Sequence, residues 1–145
     1  METYTRLFKA LADKTRLRII NLLIRSGREL CVCEIVDSLS ENQYNISKHL
    51  KELKYAGLIE EKRMGRWVSY GLISSPDEFK EFLIKAIASL PDDLFARDMQ
   101  LLRGRLSLRK DGKCVVGLKS KQWEIILSQL KKKRKEKIVH VQKAE

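Results

Sequence analysis

The sequence predicts a mainly α-helical fold with a small β-hairpin, arranged as a winged helix-turn-helix. Three observations predict it. Two short amphipathic segments, 30–39 and 43–55, are separated by the polar turn Ser40-Glu41-Asn42. The second segment keeps apolar residues on one face and polar residues on the other, as a helix that reads DNA must. Two strand-like segments with a glycine turn follow it directly, as a wing does.

The order of the elements follows from hydrophobic periodicity, capping residues and turn residues. Asp13 caps one predicted helix, and Ser26-Gly27 ends it. The predicted helices cover residues 2–12, 14–25, 30–39, 43–55, 75–90 and 92–104, and the predicted strands cover 58–63 and 67–73. We assign residues 1–104 to a winged helix-turn-helix DNA-binding domain and residues 105–145 to a basic C-terminal extension.

Composition and charge exclude several classes of protein. The 145 residues carry a net charge of +11, which favours a polyanionic partner such as nucleic acid. No apolar run approaches the roughly 18 residues of a membrane span, and charges interrupt the N-terminal apolar stretch, so we expect a cytoplasmic protein without a membrane partner. The sequence lacks a phosphate-binding glycine loop, a nucleophile elbow and a paired-histidine metal motif, so we expect no enzyme.

Polar side chains near the start of segment 43–55 are suited to contacts in the major groove. Asparagine and glutamine pair with adenine, lysine reaches guanine or phosphate, and hydroxyl groups position the protein on phosphates. Two arginines beside the wing glycine can reach phosphates or the minor groove. The predicted DNA-binding residues are Gln43, Tyr44, Asn45, Ser47, Lys48, His49, Lys51, Arg63 and Arg66. For His49, packing on the first helix is the alternative.

Three segments together resemble the ArsR/SmtB family of metal-responsive repressors: LADKTRLRIINLL, ELCVCEIVDSL and NISKHLKELKYAGLIEEKRMGRWVSYGL. The resemblance covers about residues 4–90. It implies a homodimer, formed through the first helix and the helix after the wing. It also implies that the dimer binds double-stranded operator DNA and leaves it when an inducer binds.

Within the family, the pair Cys31 and Cys33 resembles that of the arsenite and antimonite sensors. The cadmium and lead branch adds cysteines near the N-terminus, and this chain has no cysteine before Cys31. The zinc branch uses histidines on the helix after the wing, and residues 76–104 contain no histidine. Many arsenite sensors place a third cysteine where this chain has Val36. Cys114 is the remaining candidate, and it reaches the pair only where the extension folds back, in its own subunit or from the partner.

The predicted helix 30–39 constrains how the thiol pair can act. A helix turns about 100° per residue, so Cys31 and Cys33 would lie about 200° apart. Both sulfurs could then bind one ion only by unwinding the start of this helix. We expect that distortion to misplace the DNA-reading helix and to release the operator.

Soft thiolates select thiophilic ions, so As(III) and Sb(III) are the expected inducers, with Cd(II) and Pb(II) as alternatives and no resident cofactor. A second hypothesis replaces the ion with disulfide or persulfide chemistry, in which Cys114 pairs with Cys31 or Cys33. A third hypothesis, of another class, is a ligand-free winged-helix adaptor for protein or RNA, and the basic run 131–137 favours it.

Overall fold

The computed structural model describes residues 1–144, which fold into helices around a small antiparallel sheet. The helices are α1 (Glu2–Leu11), α2 (Lys14–Ser26), α3 (Val32–Leu39), α4 (Gln43–Tyr55), α5 (Glu78–Ala88), a 3-10 turn (Asp92–Phe95), α6 (Ala96–Leu106) and α7 (Lys121–Ala144). The strands are β1 (Leu30–Cys31), β2 (Ile59–Met64) and β3 (Trp67–Leu72). The predicted winged helix-turn-helix fold is confirmed.

A helix-turn-helix formed by α3 and α4 packs on α2 around one apolar core. Each helix contributes its apolar stripe, as the periodicity predicts. The residues at the centre of this core are fully buried: Ile19, Leu22, Ile35, Ile46, Leu50 and Leu53. The polar face of α4 therefore points to solvent.

The turn between α3 and α4 is fixed by local chemistry at two residues. Ser40 ends α3 in the left-handed conformation, with φ 54°. Asn42 is extended and caps α4, its side chain accepting a 2.8 Å hydrogen bond from the backbone N–H of Asn45. Such a cap satisfies a backbone N–H that the first helical turn leaves unpaired.

The sheet has three strands in the order β1-β3-β2. The wing is the β2–β3 hairpin, in which Met64 pairs with Trp67 across a turn containing Gly65 at φ 61°. Strand β1 pairs Leu30 with Tyr70 and Cys31 with Ser69. The sequence predicted a helix from residue 30 and no strand β1, because the pairing with β3 and not the local pattern makes Leu30 and Cys31 extended.

The C-terminal segment packs on the helix-turn-helix. Helix α6 lies against α3, and α7 begins on α6, where Trp123 is buried. A side chain at Gly104 would stand 3.0 Å from Ile126, so a small residue permits this close approach. Residues 131–144 continue α7 as an exposed helix, so this basic terminus is solvated, one of the two predicted alternatives, and it is helical and not frayed. Within residues 1–144, no helix has the length and hydropathy needed to cross a membrane.

Candidate functional site

Cys31 is the N-cap residue of α3 and not part of the helix. Its backbone is extended, with φ −69° and ψ 152°, and its N–H donates a 2.8 Å hydrogen bond to the Glu34 carboxylate. The prediction of one helix over 30–39 was therefore wrong at its first two residues. Because Cys31 is extended, the angular spacing of a helix does not separate the two thiols, and they can act together without unwinding α3.

Three thiols meet at the start of α3 within one subunit. Cys114, in the loop between α6 and α7, has its sulfur 3.5 Å from that of Cys33. The sulfurs of Cys31 and Cys114 lie within 4.8 Å of each other and of a Glu34 carboxylate oxygen. All three cysteines are free, with Cys31 and Cys114 buried and Cys33 half-buried. The extension thus folds back in its own subunit.

Two arginines hold the loop that carries Cys114 against α3. The Arg105 guanidinium, itself buried, donates to Asp37 at 2.9 Å and to the carbonyl of Val116 at 2.6 Å. Arg109 donates to both carboxylate oxygens of Glu34, at 2.7 and 2.8 Å. Paired N–H donors of this kind orient a carboxylate as well as attract it. Sequence reasoning missed both pairs, since nothing in the local pattern joins residues this far apart.

The surroundings of the thiols give them different acidities. Hydrogen bonding from the Cys31 thiol, reinforced by Cys114 and by the positive charge of Arg105, lowers the pKa of Cys33 to about 7. Burial, together with the negative charge of Cys33, raises the pKa of Cys114 to about 11. Hydrogen bonding to Cys33 and burial also raise the pKa of Cys31. Cys33 is therefore the most acidic of the three thiols.

We expect iodoacetamide to alkylate Cys33 first, because the thiolate is the nucleophile and Cys33 is the most exposed of the three thiols. Its rate should rise through a midpoint near pH 7, well below the ordinary range of a thiol. Peptide mass spectrometry after short reactions at several pH values measures this, with the Cys33→Ser variant as the control that lacks the fast phase. Faster labelling of Cys114, or a midpoint near pH 9 for Cys33, would contradict the assignment.

Helix α4 presents most of its predicted DNA-binding residues to solvent. The exposed side chains at and after its start are Gln43, Tyr44, Asn45, Lys48 and Lys51, while Ser47 is half-buried. His49 instead lies half-buried against α2, its Nδ1 3.2 Å from the Arg16 guanidinium and 3.9 Å from the Asp13 carboxylate. His49 therefore packs within the domain, but on α2 and its cap and not on the first helix, which was the predicted alternative.

The wing places two cations at its tip. Arg63 and Arg66 are exposed on either side of the turn, and the Arg66 guanidinium lies over the Trp67 ring, 5.0 Å from its centroid. The two arginines and the exposed face of α4 lie on consecutive elements. A winged helix-turn-helix with exposed polar and basic residues on both of these elements is the architecture of DNA-binding transcriptional regulators.

Residues 13–61 match the model of the family described as "Bacterial regulatory protein, arsR family". The arsenic resistance transcriptional regulator ArsR1 of Pseudomonas putida is 37% identical over 91 residues, which cover 63% of this chain and 70% of that protein. The arsenical resistance operon repressor of Escherichia coli is 48% identical over 66 residues, which cover 46% of this chain and 56% of that protein. The chain belongs to the ArsR family of winged helix-turn-helix transcriptional repressors.

A solved structure agrees with the fold. The homodimeric winged helix-turn-helix domain Mb0332 of Mycobacterium bovis, 29% identical, superposes with a TM-score of 0.53 over 63% of this chain and 81% of that one. The family membership favours the repressor over the adaptor hypothesis.

Proposed function

We propose that this protein is an operator-binding repressor that leaves DNA when As(III) or Sb(III) binds the thiols of Cys31, Cys33 and Cys114. The observation that carries the proposal is the meeting of three free thiols at the start of α3, the helix that leads into α4. Two of the similar proteins are regulators of arsenic resistance, which supports the choice of ion. Free thiols persist in a reducing cytoplasm, where the repressor would act.

The chemistry requires no oxidant. Arsenous acid reacts with three thiols, three As–S bonds replace three As–O bonds, and three water molecules leave while arsenic stays trivalent. Sulfur atoms 3.5 Å apart are already in van der Waals contact, so one atom can bond to Cys33 and Cys114 with little movement. Soft sulfur ligands favour such ions over hard cations.

Binding would reach the DNA through α3. Because the sulfurs of Cys33 and Cys114 already touch, the bond that requires movement is the one to Cys31, and forming it would pull the cap of α3 toward the loop that carries Cys114. Because α3 and α4 share one short turn, a shift of α3 moves the residues that contact DNA. Linkage then requires that the ion and the operator weaken each other's binding by the same factor.

On DNA, three residues of α4 would read base edges, and the other predicted residues of α4 and the wing would hold phosphates or reach the minor groove. We assign Gln43, Asn45 and Lys48 to the major groove, because their side chains are exposed near the start of the helix. Tyr44, Ser47, Lys51, Arg63 and Arg66 are assigned to phosphates or the adjacent minor groove. His49, held by α2, has a positioning role at most.

The test is a titration of operator-bound protein. A fluorescent duplex from the protein's own promoter is bound at physiological salt, and arsenite, antimonite, Cd(II) or Pb(II) is added while anisotropy is followed. We expect arsenite and antimonite to weaken operator binding about 5- to 150-fold, the range of common allosteric couplings. Retention of the duplex with all four ions would overturn the proposal.

A thiol-redox repressor is the second candidate, and the 3.5 Å separation of Cys33 and Cys114 favours it. Hydrogen peroxide would oxidise the two thiols to one disulfide, with two water molecules as the other product. Intact mass spectrometry separates the candidates. Arsenic retained after arsenite treatment supports the first, and loss of two hydrogens at a peroxide level that also releases DNA supports the second.

We also propose that the repressor is a homodimer formed through α1 and α5. Tyr4 and Phe8 of α1 pack edge-on against Phe79 of α5, with ring centroids 5.0 and 5.8 Å apart. Around this contact Tyr4, Phe8 and Phe82 leave an exposed aromatic face. An exposed apolar face of this kind marks a protein interface, and the similar Mycobacterium bovis domain is homodimeric.

We expect Phe82→Glu to produce monomers, because dimerisation would bury the new carboxylate in the aromatic face. Ile125→Glu is the matched control, since both side chains are 60% exposed and Ile125 lies on α7. Sedimentation velocity at micromolar concentration measures the outcome. A Phe82→Glu dimer as stable as that of the control would place the interface elsewhere.

A further inference from the structure

A cavity of about 750 Å³ lies beside the thiols, between the wing and the loop that carries Cys114. Apolar side chains from both elements line it, namely Met64 and Trp67 from the wing and Val115 from the loop. The site proposed for the inorganic ion needs no such space, because arsenic bonded to three sulfurs has no further substituent. The cavity is therefore a feature that the proposed function does not use.

Only part of the thiol cluster faces this cavity. Among the residues that the structure describes, Cys31 and Cys114 line the cavity and Cys33 does not. The sulfurs of Cys31 and Cys114 lie within 4.8 Å of each other, close enough to bond to one atom after a small movement. An arsenic atom held by these two sulfurs has one valence left, and the open space beside them is the cavity.

We infer that the cavity is a subsite for the organic group of a monosubstituted trivalent arsenical, with an aromatic ring as the best occupant. This inference rests on the proposed function and names a second class of ligand for the same site. The hydrated arsenical, R–As(OH)₂, reacts with the thiols of Cys31 and Cys114. Two As–S bonds replace two As–O bonds, two water molecules leave, and arsenic keeps its oxidation state and its bond to carbon.

Three apolar side chains of the cavity wall favour an aryl group over a small one, and the rest of the lining includes the charged residues Arg28, Glu29, Arg109 and Lys113. Trp67 offers an aromatic surface on which a ring can stack or pack edge-on. Met64 adds a flexible thioether that adapts to an aromatic neighbour, and Val115 adds aliphatic surface from the opposite side. Burying a ring among them removes apolar area from water, which an inorganic ion does not do.

The experiment compares phenylarsine oxide with arsenite on the full chain. Native mass spectrometry measures each adduct in competition with graded dithiothreitol, which gives a relative affinity. Val115→Phe places an additional ring in the cavity at a position that is 40% exposed, so the fold should tolerate it. Val139→Phe on α7 is the matched control. Cys33→Ser removes the thiol that lies outside the cavity.

The two ligands should respond differently to these variants. We expect Val115→Phe to weaken phenylarsine oxide binding about tenfold and to leave arsenite binding unchanged. We expect Cys33→Ser to weaken arsenite binding at least about tenfold and to retain the phenylarsine adduct. Equal effects of Val115→Phe and Val139→Phe on phenylarsine oxide, or loss of its adduct in Cys33→Ser, would overturn the inference.

The outcomes also separate this inference from the proposed function. One outcome is that the wild type binds phenylarsine oxide but not arsenite, and that Val115→Phe weakens phenylarsine oxide binding while Cys33→Ser retains it. This outcome refutes inorganic sensing and supports the subsite. Arsenite binding that depends on all three cysteines, together with phenylarsine binding that ignores Val115→Phe, supports the proposed function and refutes the subsite.

Discussion

The Cys31→Ser variant is expected to bind operator DNA as tightly as the wild type and to require at least about tenfold more arsenite for release. The hydroxyl is a hard ligand that replaces sulfur poorly around a soft ion. The fold should survive because Cys31 is the N-cap of α3, and serine is among the preferred residues at that position. The arsenite concentration at half-release of a fluorescent operator is the measured quantity.

The Cys31→Ala variant is the control for this result. It removes the same ligand but supplies no capping oxygen. It should therefore match Cys31→Ser in arsenite response, and its free energy of unfolding should be about 1 kcal/mol lower than that of Cys31→Ser. Different arsenite responses in the two variants would show that capping, not ligation, controls release. Release at the wild-type arsenite concentration in both would remove Cys31 from the sensing site.

The second large effect is expected from Arg105→Met, which should lower the free energy of unfolding by about 3–5 kcal/mol. Arg105 and Asp37 are 1% and 2% exposed in their side chains, so the substitution leaves a buried carboxylate without its cation. Burial already raises the pKa of Asp37, and Arg105 opposes that rise. Urea denaturation followed by circular dichroism measures the loss.

Two further variants make this prediction specific. Combining Arg105→Met with Asp37→Leu removes both buried charges and should recover much of the lost stability. Lys54→Met breaks the exposed pair with Glu61, 2.7 Å apart, and should change stability little because water screens that pair. A small loss in Arg105→Met, similar to that in Lys54→Met, would mean that the buried pair does not hold the loop.

The helix-turn-helix could be predicted from the sequence because its determinants are local. Asn42 caps α4 and the apolar spacing of Ile46, Leu50 and Leu53 fixes the buried face, so the predicted range 43–55 equals the observed one. The wing could also be predicted from the sequence, since Gly65 adopts the positive φ that a tight turn needs. Each of these signals lies within a few residues of the element it determines.

The thiol site depends on contacts between distant residues, and local pattern cannot provide them. The extended backbone of Cys31 comes from pairing with Ser69, and this pairing moves the start of α3 to Val32. The position of Cys114 depends on Arg105 and Arg109, which bond to acidic residues of α3 more than 60 positions earlier. The sequence identified the three cysteines but not their geometry.

The 81-residue separation of Cys33 and Cys114 makes an ion shared between them a covalent cross-link of the folded chain. Closing a loop of this length removes conformational freedom from the denatured chain, worth about 4.5 kcal/mol in the chain-entropy model. The metalloid-loaded repressor should therefore melt at a higher temperature than the free protein even as it loses its hold on DNA. Exposure to the toxic ion would then lengthen the lifetime of the protein that detects it.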